Sequence, residues 1–323
     1  MTSFKEQLRA SMKSKDTEER IDIWFTRPVG LALTLVCERL GIHPNAVTLF
    51  GMALGIAAGW MFAHTGVWYN VAGMAMLMMA NFCDSADGQL ARLTGKTSLL
   101  GRVLDGFSGD LWFTAIYIAI MVRLWGQYIP GTTCHWGIWI CLLTCVSGIL
   151  CHSPQSSLAD YYRQIHLHFL KGAGGGELDS YAKERAIMEQ LPRRQWFARL
   201  YHYCYSNYCK SQERRTPCFQ ALMGTLKDIG ADGQLAPGAV ERLRKEFLAG
   251  SRPLMKYTNF LTFNSRAILI YVTCIAGCPY IYLLMELTAY NVVYVYMRRK
   301  HEALCRDIRM KAIAQRDAAG MAE

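Results

Sequence analysis

The chain has 323 residues, of which 52% are hydrophobic and only 19% are charged, and its formal net charge is +10. Soluble domains carry about 25% charged residues, so this balance indicates a membrane protein with basic margins. The lysines and arginines fall between apolar runs instead of clustering in one region, which argues against a nucleic-acid-binding protein. The twelve cysteines lack the regular spacing of a secreted disulfide framework, so we predict reduced thiols.

The N-terminal segment, residues 1–43, is predicted to lie in the cytosol and at the membrane surface. Its first 27 residues are charged and amphipathic, unlike the apolar core of a signal peptide. Residues 20–42 then carry an apolar stripe that charges interrupt. Because a stretch this polar is unsuited to the bilayer interior, we predict a helix lying in the membrane interface.

Six stretches are predicted to cross the bilayer, since a spanning helix takes about 20 mostly apolar residues. The last two are expected to form a hairpin, because the break "GCPY" interrupts their apolar run. The sequence therefore predicts an all-α, polytopic membrane protein with six transmembrane helices, a helical cytosolic insert and a basic cytosolic tail. The first four spans are predicted at 46–63, 67–83, 99–122 and 136–151. The predicted domains are 1–43, 44–151 with spans one to four, the insert 152–256, 257–298 with the last two spans, and the tail 299–323.

The distribution of basic residues predicts how the spans are oriented. The connections after the first, third and fifth spans hold no lysine or arginine, apart from Arg123 at the edge of one, whereas the other connections and both termini are basic. Basic loops face the cytoplasm, so both termini and the acidic stretch 84–110 are expected there. Such a protein would reside in the cell inner membrane, or in the endoplasmic reticulum of a eukaryote.

Four aspartates stand at the edges of the second and third predicted spans: Asp84, Asp87, Asp105 and Asp110. Ionisable residues this close to the membrane interior are costly and indicate function. Helix positions three, four and seven apart share a face. By this spacing small residues accompany the acids on the two helices; they are Gly88, Ala91 and Gly101. Two acidic stripes joined by a turn near Gly95 are therefore expected to face each other.

Several carboxylates brought together repel one another unless a cation lies among them. Magnesium or manganese fits best, because these hard ions take oxygen ligands and share them with substrate phosphates. The small residues would leave room for a bulky ligand, and Arg92 could neutralise phosphate oxygens. The alternative is a solvated cap on two helices, with the acids paired to Arg92, Lys96 and Arg102.

The run "DSADGQLARLTGKTSLLGRVLD" closely resembles the signature of the CDP-alcohol phosphotransferase family, also called class I CDP-alcohol phosphatidyltransferases. Upstream, "GIHPNAVTLFG" with Asn45 and Thr48 resembles the family's entry to its first span. The resemblance implies a membrane enzyme that moves a substituted phosphate from a CDP-linked donor to an alcohol and releases CMP. It also implies two metal ions on the aspartates, a cytidine pocket lined by Asn45, Thr48 and the small residues, and a homodimer.

The fourth aspartate departs from the family's pattern, in which it stands four residues after the third. Gly109 occupies that position, and Asp110 comes one residue late. In a regular helix a five-residue step turns the side chain about 140° from Asp105. We expect a π-bulge within "GFSGD" to restore the alignment, leaving Asp110 as general base and metal ligand. The rival bases are Asp105, a metal-bound water, and a histidine, His152 or His166.

The identity of the lipid substrate stays open at this level. Either CDP-diacylglycerol meets a polar alcohol, or a CDP-linked headgroup meets a lipid alcohol such as diacylglycerol or ceramide. Six spans and the basic rim favour the first. Arg163 and Arg266 are candidates for binding an acceptor phosphate, and the alternative for each is a basic anchor at the membrane surface. An inactive scaffold and an ion transporter are the other function classes, although transporters tend to show an internal symmetry that this sequence lacks.

Overall fold

The structure, a computed structural model, describes residues 8, 14, 16–172, 178–231 and 237–320. Parts of the predicted N-terminal domain, of the insert and of the tail lie outside these residues. Helices make up 85% of the structure and the described residues form no strand, which confirms the predicted all-α class.

The helices of the described residues include three π-helical segments and one short 3-10 segment. In chain order they are a π segment Asp22–Thr26, α1 Arg27–Arg39, α2 Pro44–Phe62, α3 Val67–Thr94, α4 Leu99–Leu124, α5 Gly137–Cys145, a π segment Val146–His152, α6 Ser153–Lys171, α7 Tyr181–Gln190, α8 Trp196–Arg215, α9 Pro217–Ala231, α10 Pro237–Ser251, a 3-10 segment Arg252–Leu254, α11 Met255–Phe260, α12 Phe263–Ile275, α13 Tyr280–Met285, a π segment Glu286–Tyr290 and α14 Asn291–Gly320.

The chain divides into two compact units. The first comprises Met1–Pro154 and Phe263–Tyr290, and the second comprises Gln155–Thr262 and Asn291–Glu323. Within the part of the chain that the structure describes, three helices are long and apolar enough to cross a membrane: Pro44–Phe62, Leu99–Leu124 and the continuous helix Gly137–Lys171. Six spans and their cytoplasmic orientation stay predictions.

Local sequence signals define the helices that carry the acids. Pro44 opens α2, because proline is preorganised for the first helical turn. Gly95 ends α3 in the left-handed conformation with φ +68, which confirms the predicted turn. Ser98 then caps α4 by accepting a hydrogen bond from the Gly101 amide at 2.9 Å. The two acidic helices are thereby joined by a connection of only a few residues.

Glycines let α2 pack closely against α4 in the first unit. Gly51, Gly55 and Gly59 recur every four residues and are all buried. A β-carbon at Gly55 would overlap the ring of Trp112, and one at Gly59 would lie 2.8 Å from the Ala115 methyl group. This stripe of small residues permits the close helix approach typical of membrane proteins.

Helix α1 packs beside the acids. The Thr34 hydroxyl of α1 donates to the Ala86 carbonyl of α3 at 3.1 Å, and a β-carbon at Gly30 would lie 2.7 Å from the Ser85 hydroxyl. Trp24, just before α1, is largely exposed. The helix predicted near residues 20–42 therefore forms, and its place in a membrane interface stays a prediction.

The second unit has an aromatic core of its own. His301 of α14 stacks on Tyr162 of α6 with ring centroids 3.8 Å apart. Phe247 of α10 contacts the same imidazole edge-on, and all three side chains are buried. Helices from distant parts of the sequence are joined in this way.

Candidate active site

Asp87 on α3 is the most deeply buried of the four aspartates, with 3% of its surface exposed. Its Oδ2 accepts a hydrogen bond from the Thr48 hydroxyl of α2 at 2.5 Å. Its Oδ1 is buried and accepts no hydrogen bond. Buried carboxylate oxygens nearly always have a partner, so this oxygen has the character of an unfilled ligand position.

Asp84 and Asp105 are connected through Ser108, a residue that the sequence analysis did not identify. The Ser108 hydroxyl donates to Asp84 Oδ1 at 2.8 Å and contacts the Asp105 carbonyl oxygen at the same distance. Ser108 lies three residues after Asp105, on the same helical face, which is the only signal in the sequence that could have indicated it. Asp84 is half-buried and Asp105 is exposed.

The acids influence one another electrostatically. Asp84 and Asp87 follow the predicted second span, and burial raises the pKa of Asp84 to about 7 and that of Asp87 to about 8. Repulsion from Asp105 is the next cause for Asp84, and repulsion from Asp84 is the next cause for Asp87. A positive charge among the three carboxylates would relieve both penalties.

Two arginines stand on the rim of this acidic group. Arg92 is exposed, and its guanidinium lies 3.5 Å from where a β-carbon on Gly88 would stand. Arg27 of α1 pairs with Glu18 at 2.8 Å and partly offsets the repulsion at Asp84. The N-terminal helix therefore contributes to the electrostatics of the site, which the sequence analysis did not anticipate.

The structure brings together two of the residues expected to line a cytidine pocket. A β-carbon on Gly101 would lie 2.7 Å from Asn45 Oδ1, and Asn45 Nδ2 stands 3.5 Å from the Ser98 hydroxyl. Thr48 points instead to Asp87, as its hydrogen bond shows. Ala91 is half-buried on α3.

The donor chemistry suits a hard divalent cation, although the side chains do not yet converge on one. Within the described residues, no three His, Cys, Asp or Glu side chains are grouped closely enough to hold a metal ion. The orphaned Oδ1 of Asp87 and the mutual repulsion of the three acids nevertheless fit a cation with oxygen ligands. Asp84, Asp87 and Asp105 are the residues that would hold it.

Asp110 faces a different part of the protein. Every residue of α4 from Leu99 to Leu124 is regular α-helix, so the expected π-bulge between Asp105 and Asp110 is wrong. Asp110 lines a cavity of about 440 Å³ between α4 and the segment from α5 to Ser153. π-helical geometry occurs on the opposite wall instead, at Val146–His152. A π-bulge depends on packing between helices, which a short sequence motif does not specify.

A buried polar network lies beside this cavity. Arg266 donates to His152 Nδ1 at 2.9 Å and forms an ion pair with Glu286. Arg266 is only 1% exposed, so it cannot reach an acceptor phosphate, and the prediction of that role is wrong. The lone pair of His152 Nδ1 is occupied, which weakens the case for His152 as a base.

The remaining candidates from the sequence belong to the second unit. His166 contacts the Ser251 hydroxyl at 2.8 Å inside the core, and Arg163 donates to Asn259 Oδ1 at 3.0 Å. Both side chains serve contacts within their own unit.

Comparisons with known proteins find similarity over part of the chain. The family model described as CDP-alcohol phosphatidyltransferase matches residues 41–162. The chain is 32% identical over 116 residues to a phosphatidylinositol phosphate synthase of Mycobacteroides abscessus, covering 33% of this chain and 48% of that protein. It is 36% identical over 66 residues to an archaetidylinositol phosphate synthase of Pyrococcus horikoshii, covering 20% of this chain and 34% of that protein.

A second archaetidylinositol phosphate synthase, from Aeropyrum pernix, is 26% identical over 106 residues, covering 31% of this chain and 52% of that protein. The chain thus spans about half the length of these curated relatives, or less. No solved structure is significantly similar to the chain.

Proposed function

We propose that the chain is a membrane phosphotransferase of phospholipid biosynthesis, because residues 41–162 match the family model described as CDP-alcohol phosphatidyltransferase. It transfers a substituted phosphate from a CDP-linked donor to an alcohol and releases CMP. The observation that carries the proposal is the buried, unpartnered Oδ1 of Asp87 beside the carboxylates of Asp84 and Asp105.

The residues of the site match the demands of the reaction. Divalent cations of the magnesium or manganese type, when bound, would neutralise the donor's pyrophosphate and stabilise the leaving phosphate. Asp84, Asp87 and Asp105 hold them, and Asn45 and Gly101 receive the cytidine. Two further groups complete the site in this proposal: Arg92 neutralises phosphate oxygens at the rim, and the exposed carboxylate of Asp105 accepts the proton of the attacking hydroxyl.

The relatives' names favour a CDP-linked lipid, such as CDP-diacylglycerol, as the donor and inositol phosphate, a phosphorylated polyol, as the acceptor. A second candidate is transfer of a CDP-linked headgroup to a lipid alcohol. The cavity beside Asp110, lined mainly by apolar side chains such as Phe113, Ile118 and Met121, would suit the chains of a lipid alcohol as well as those of a lipid donor. In either case we place the site and both termini on the cytoplasmic side, with a homodimer as the expected assembly.

A donor panel tests the proposal. Purified full-length protein with magnesium is given CDP-diacylglycerol or CDP-linked headgroups, each with its acceptors, and CMP release is measured. We expect release with CDP-diacylglycerol and a phosphorylated polyol. Release only with a CDP-headgroup and diacylglycerol would establish the second candidate instead, and no release with any donor would favour a scaffold or a transporter.

Two aspartates on one helix provide a matched pair of variants. We expect Asp105→Asn to lower CMP release by about 100-fold or more, and Asp110→Asn to lower it by less than about tenfold, because Asp110 faces another cavity. Asp317→Asn, an exposed acid of α14, is the neutral control. If CMP release by Asp110→Asn falls as far as that by Asp105→Asn, then Asp110 acts in the reaction. The assignment of Asp105 as the proton acceptor would then fail.

A further inference from the structure

Helix α8 carries an exposed apolar surface in the part of the chain that lies beyond the family match. Trp196 is 67% exposed and Leu200 is 52% exposed. Residues three, four and seven apart share a face, so these side chains form two adjoining stripes along the helix. The members, which we call the α8 apolar face, are Trp196, Phe197, Leu200, Tyr203 and Tyr208.

The segment that carries this face has basic residues and no acidic ones, and the nearby Glu189 of α7 is paired with Arg185 at 3.3 Å. Arg193 and Arg194 stand directly before α8 and are both exposed. Between residues 191 and 212 the sequence holds four basic residues and no acidic residue. The surface is therefore apolar and aromatic along the helix and positively charged at its N-terminal end.

The opposite side of α8 is fixed by contacts with α7. The Arg199 guanidinium donates to the carbonyl oxygens of Met188 and Leu191 at 2.9 and 2.6 Å, where α7 ends. His202 pairs with Glu184 of α7 at 2.7 Å. These bonds form a helical hairpin. Most of the α8 apolar face stays exposed, although the Arg185 guanidinium of α7 lies over the Tyr203 ring, 5.6 Å from its centre.

This combination matches the chemistry of a bilayer surface. Exposed apolar patches on folded proteins mark interaction sites, and tryptophan and tyrosine favour the boundary between headgroups and acyl chains. Uninterrupted positive charge complements anionic headgroups, whereas a protein partner would need no such bias. We propose that the α8 apolar face, with Arg193 and Arg194, docks on a bilayer surface that contains anionic lipid.

Amide hydrogen exchange in two kinds of lipid tests this proposal. The full-length protein is placed in nanodiscs of phosphatidylcholine alone or of phosphatidylcholine mixed with phosphatidylglycerol. We expect amides of residues 193–204 to exchange about tenfold or more slowly in the anionic discs, because two arginines near an anionic surface contribute an effect of that size. Amides of α14 report in the same sample whether the second unit stays folded.

Matched variants separate charge from apolar contact. Arg193→Glu with Arg194→Glu is expected to abolish the lipid dependence. Arg242→Glu with Lys245→Glu makes the same charge change at exposed positions of α10 and is expected to preserve it. Trp196→Ser with Leu200→Ser is expected to restore fast amide exchange of residues 193–204 in anionic discs. Val240→Ser, at an exposed apolar position of α10, is expected to leave this exchange slow.

Two results would overturn the proposal. The first is equal exchange of residues 193–204 in wild-type protein in both kinds of disc, which requires no variant to fold. The second is protection that follows the number of chains per disc instead of the anionic lipid content, which would identify a second copy as the partner.

Discussion

Two hydroxyl groups determine how the carboxylates of the candidate site are presented. Thr48 holds one oxygen of Asp87, and Ser108 holds one oxygen of Asp84 while contacting the backbone of Asp105. Each hydroxyl directs one carboxylate oxygen and leaves the second available for a cation. In the proposed site these hydroxyls would orient the ligands of a cation without binding it themselves.

Removing one of these hydroxyls should weaken metal binding more than it weakens the fold. We expect Ser108→Ala to raise the magnesium concentration for half-maximal CMP release by about 10- to 100-fold, as loss of a ligand's hydrogen-bond partner does elsewhere. Thr288→Val is the control, because the Thr288 hydroxyl bonds only a carbonyl of its own helical turn. An unchanged magnesium requirement in Ser108→Ala would show that the Ser108 hydroxyl does not orient a metal ligand.

Two glycines of α4 offer a sharper comparison of the expected cytidine pocket. A β-carbon at Gly101 would come within 2.7 Å of Asn45 Oδ1, whereas one at Gly106 would meet nothing within 4 Å. We expect Gly101→Ala to displace the Asn45 amide and raise the KM for the CDP-linked donor by up to about tenfold, the size of one lost hydrogen bond. Gly106→Ala is expected to leave KM unchanged and to favour the helix. Equal KM values in both variants would remove Asn45 from the pocket.

At the scale of whole helices, the distance between α2 and α4 sets the separation of the two sides of the site. Asp87 reaches Thr48 of α2, and Asn45 of α2 meets Gly101 of α4. The first contact, between α2 and α3, needs the close approach at Gly51, where a β-carbon would lie 3.0 Å from that of Cys83. The second, between α2 and α4, needs the approach that Gly55 and Gly59 permit. The packing of the first unit and the geometry of the site therefore depend on the same small residues.

Enlarging the middle glycine should separate these helices. We expect Gly55→Val to lower the free energy of unfolding by about 1–3 kcal/mol, because the buried Trp112 ring occupies the space that the new side chain needs. The unfolding midpoint of the detergent-solubilised protein measures this. Ala53→Val on the exposed side of α2 is the control, and an equal midpoint for the two variants would contradict the packing argument.

Helix periodicity predicted much of the site, and tertiary contacts account for the rest. The spacing of Asp84 and Asp87 on one helix, and the left-handed Gly95 after it, were sufficient to predict two acidic helices joined by a turn. The partners of those acids were not predictable, since serine and threonine in helices usually bond their own backbone. The burial of Arg266 was missed because its partner Glu286 lies across the break at "GCPY".

Considered as a whole, the molecule joins an apolar unit with acidic residues at its helix ends to a second unit whose core contains histidine. His301 stacks on Tyr162, its Nδ1 stands 3.5 Å from the Cys305 thiol, and its Nε2 is buried without a hydrogen bond. Burial lowers the pKa of His301 to about 3, and the nearby His166 lowers it further. The core is therefore built for a neutral imidazole.

Acidification should consequently destabilise the second unit. An unfolded histidine binds a proton below about pH 6.5, whereas folded His301 stays neutral until about pH 3, so the unfolded state gains protons and stability falls across that window. Between pH 7.5 and pH 5 we expect the titration of His301 to lower the free energy of unfolding of the second unit by about 2 kcal/mol. Amide exchange of α14 measures this loss. His301→Phe keeps the ring stack and should reduce the loss by that amount, whereas His135→Phe, at an exposed position of the first unit, should not. An undiminished loss in His301→Phe would assign the pH dependence to other groups, because phenylalanine does not titrate.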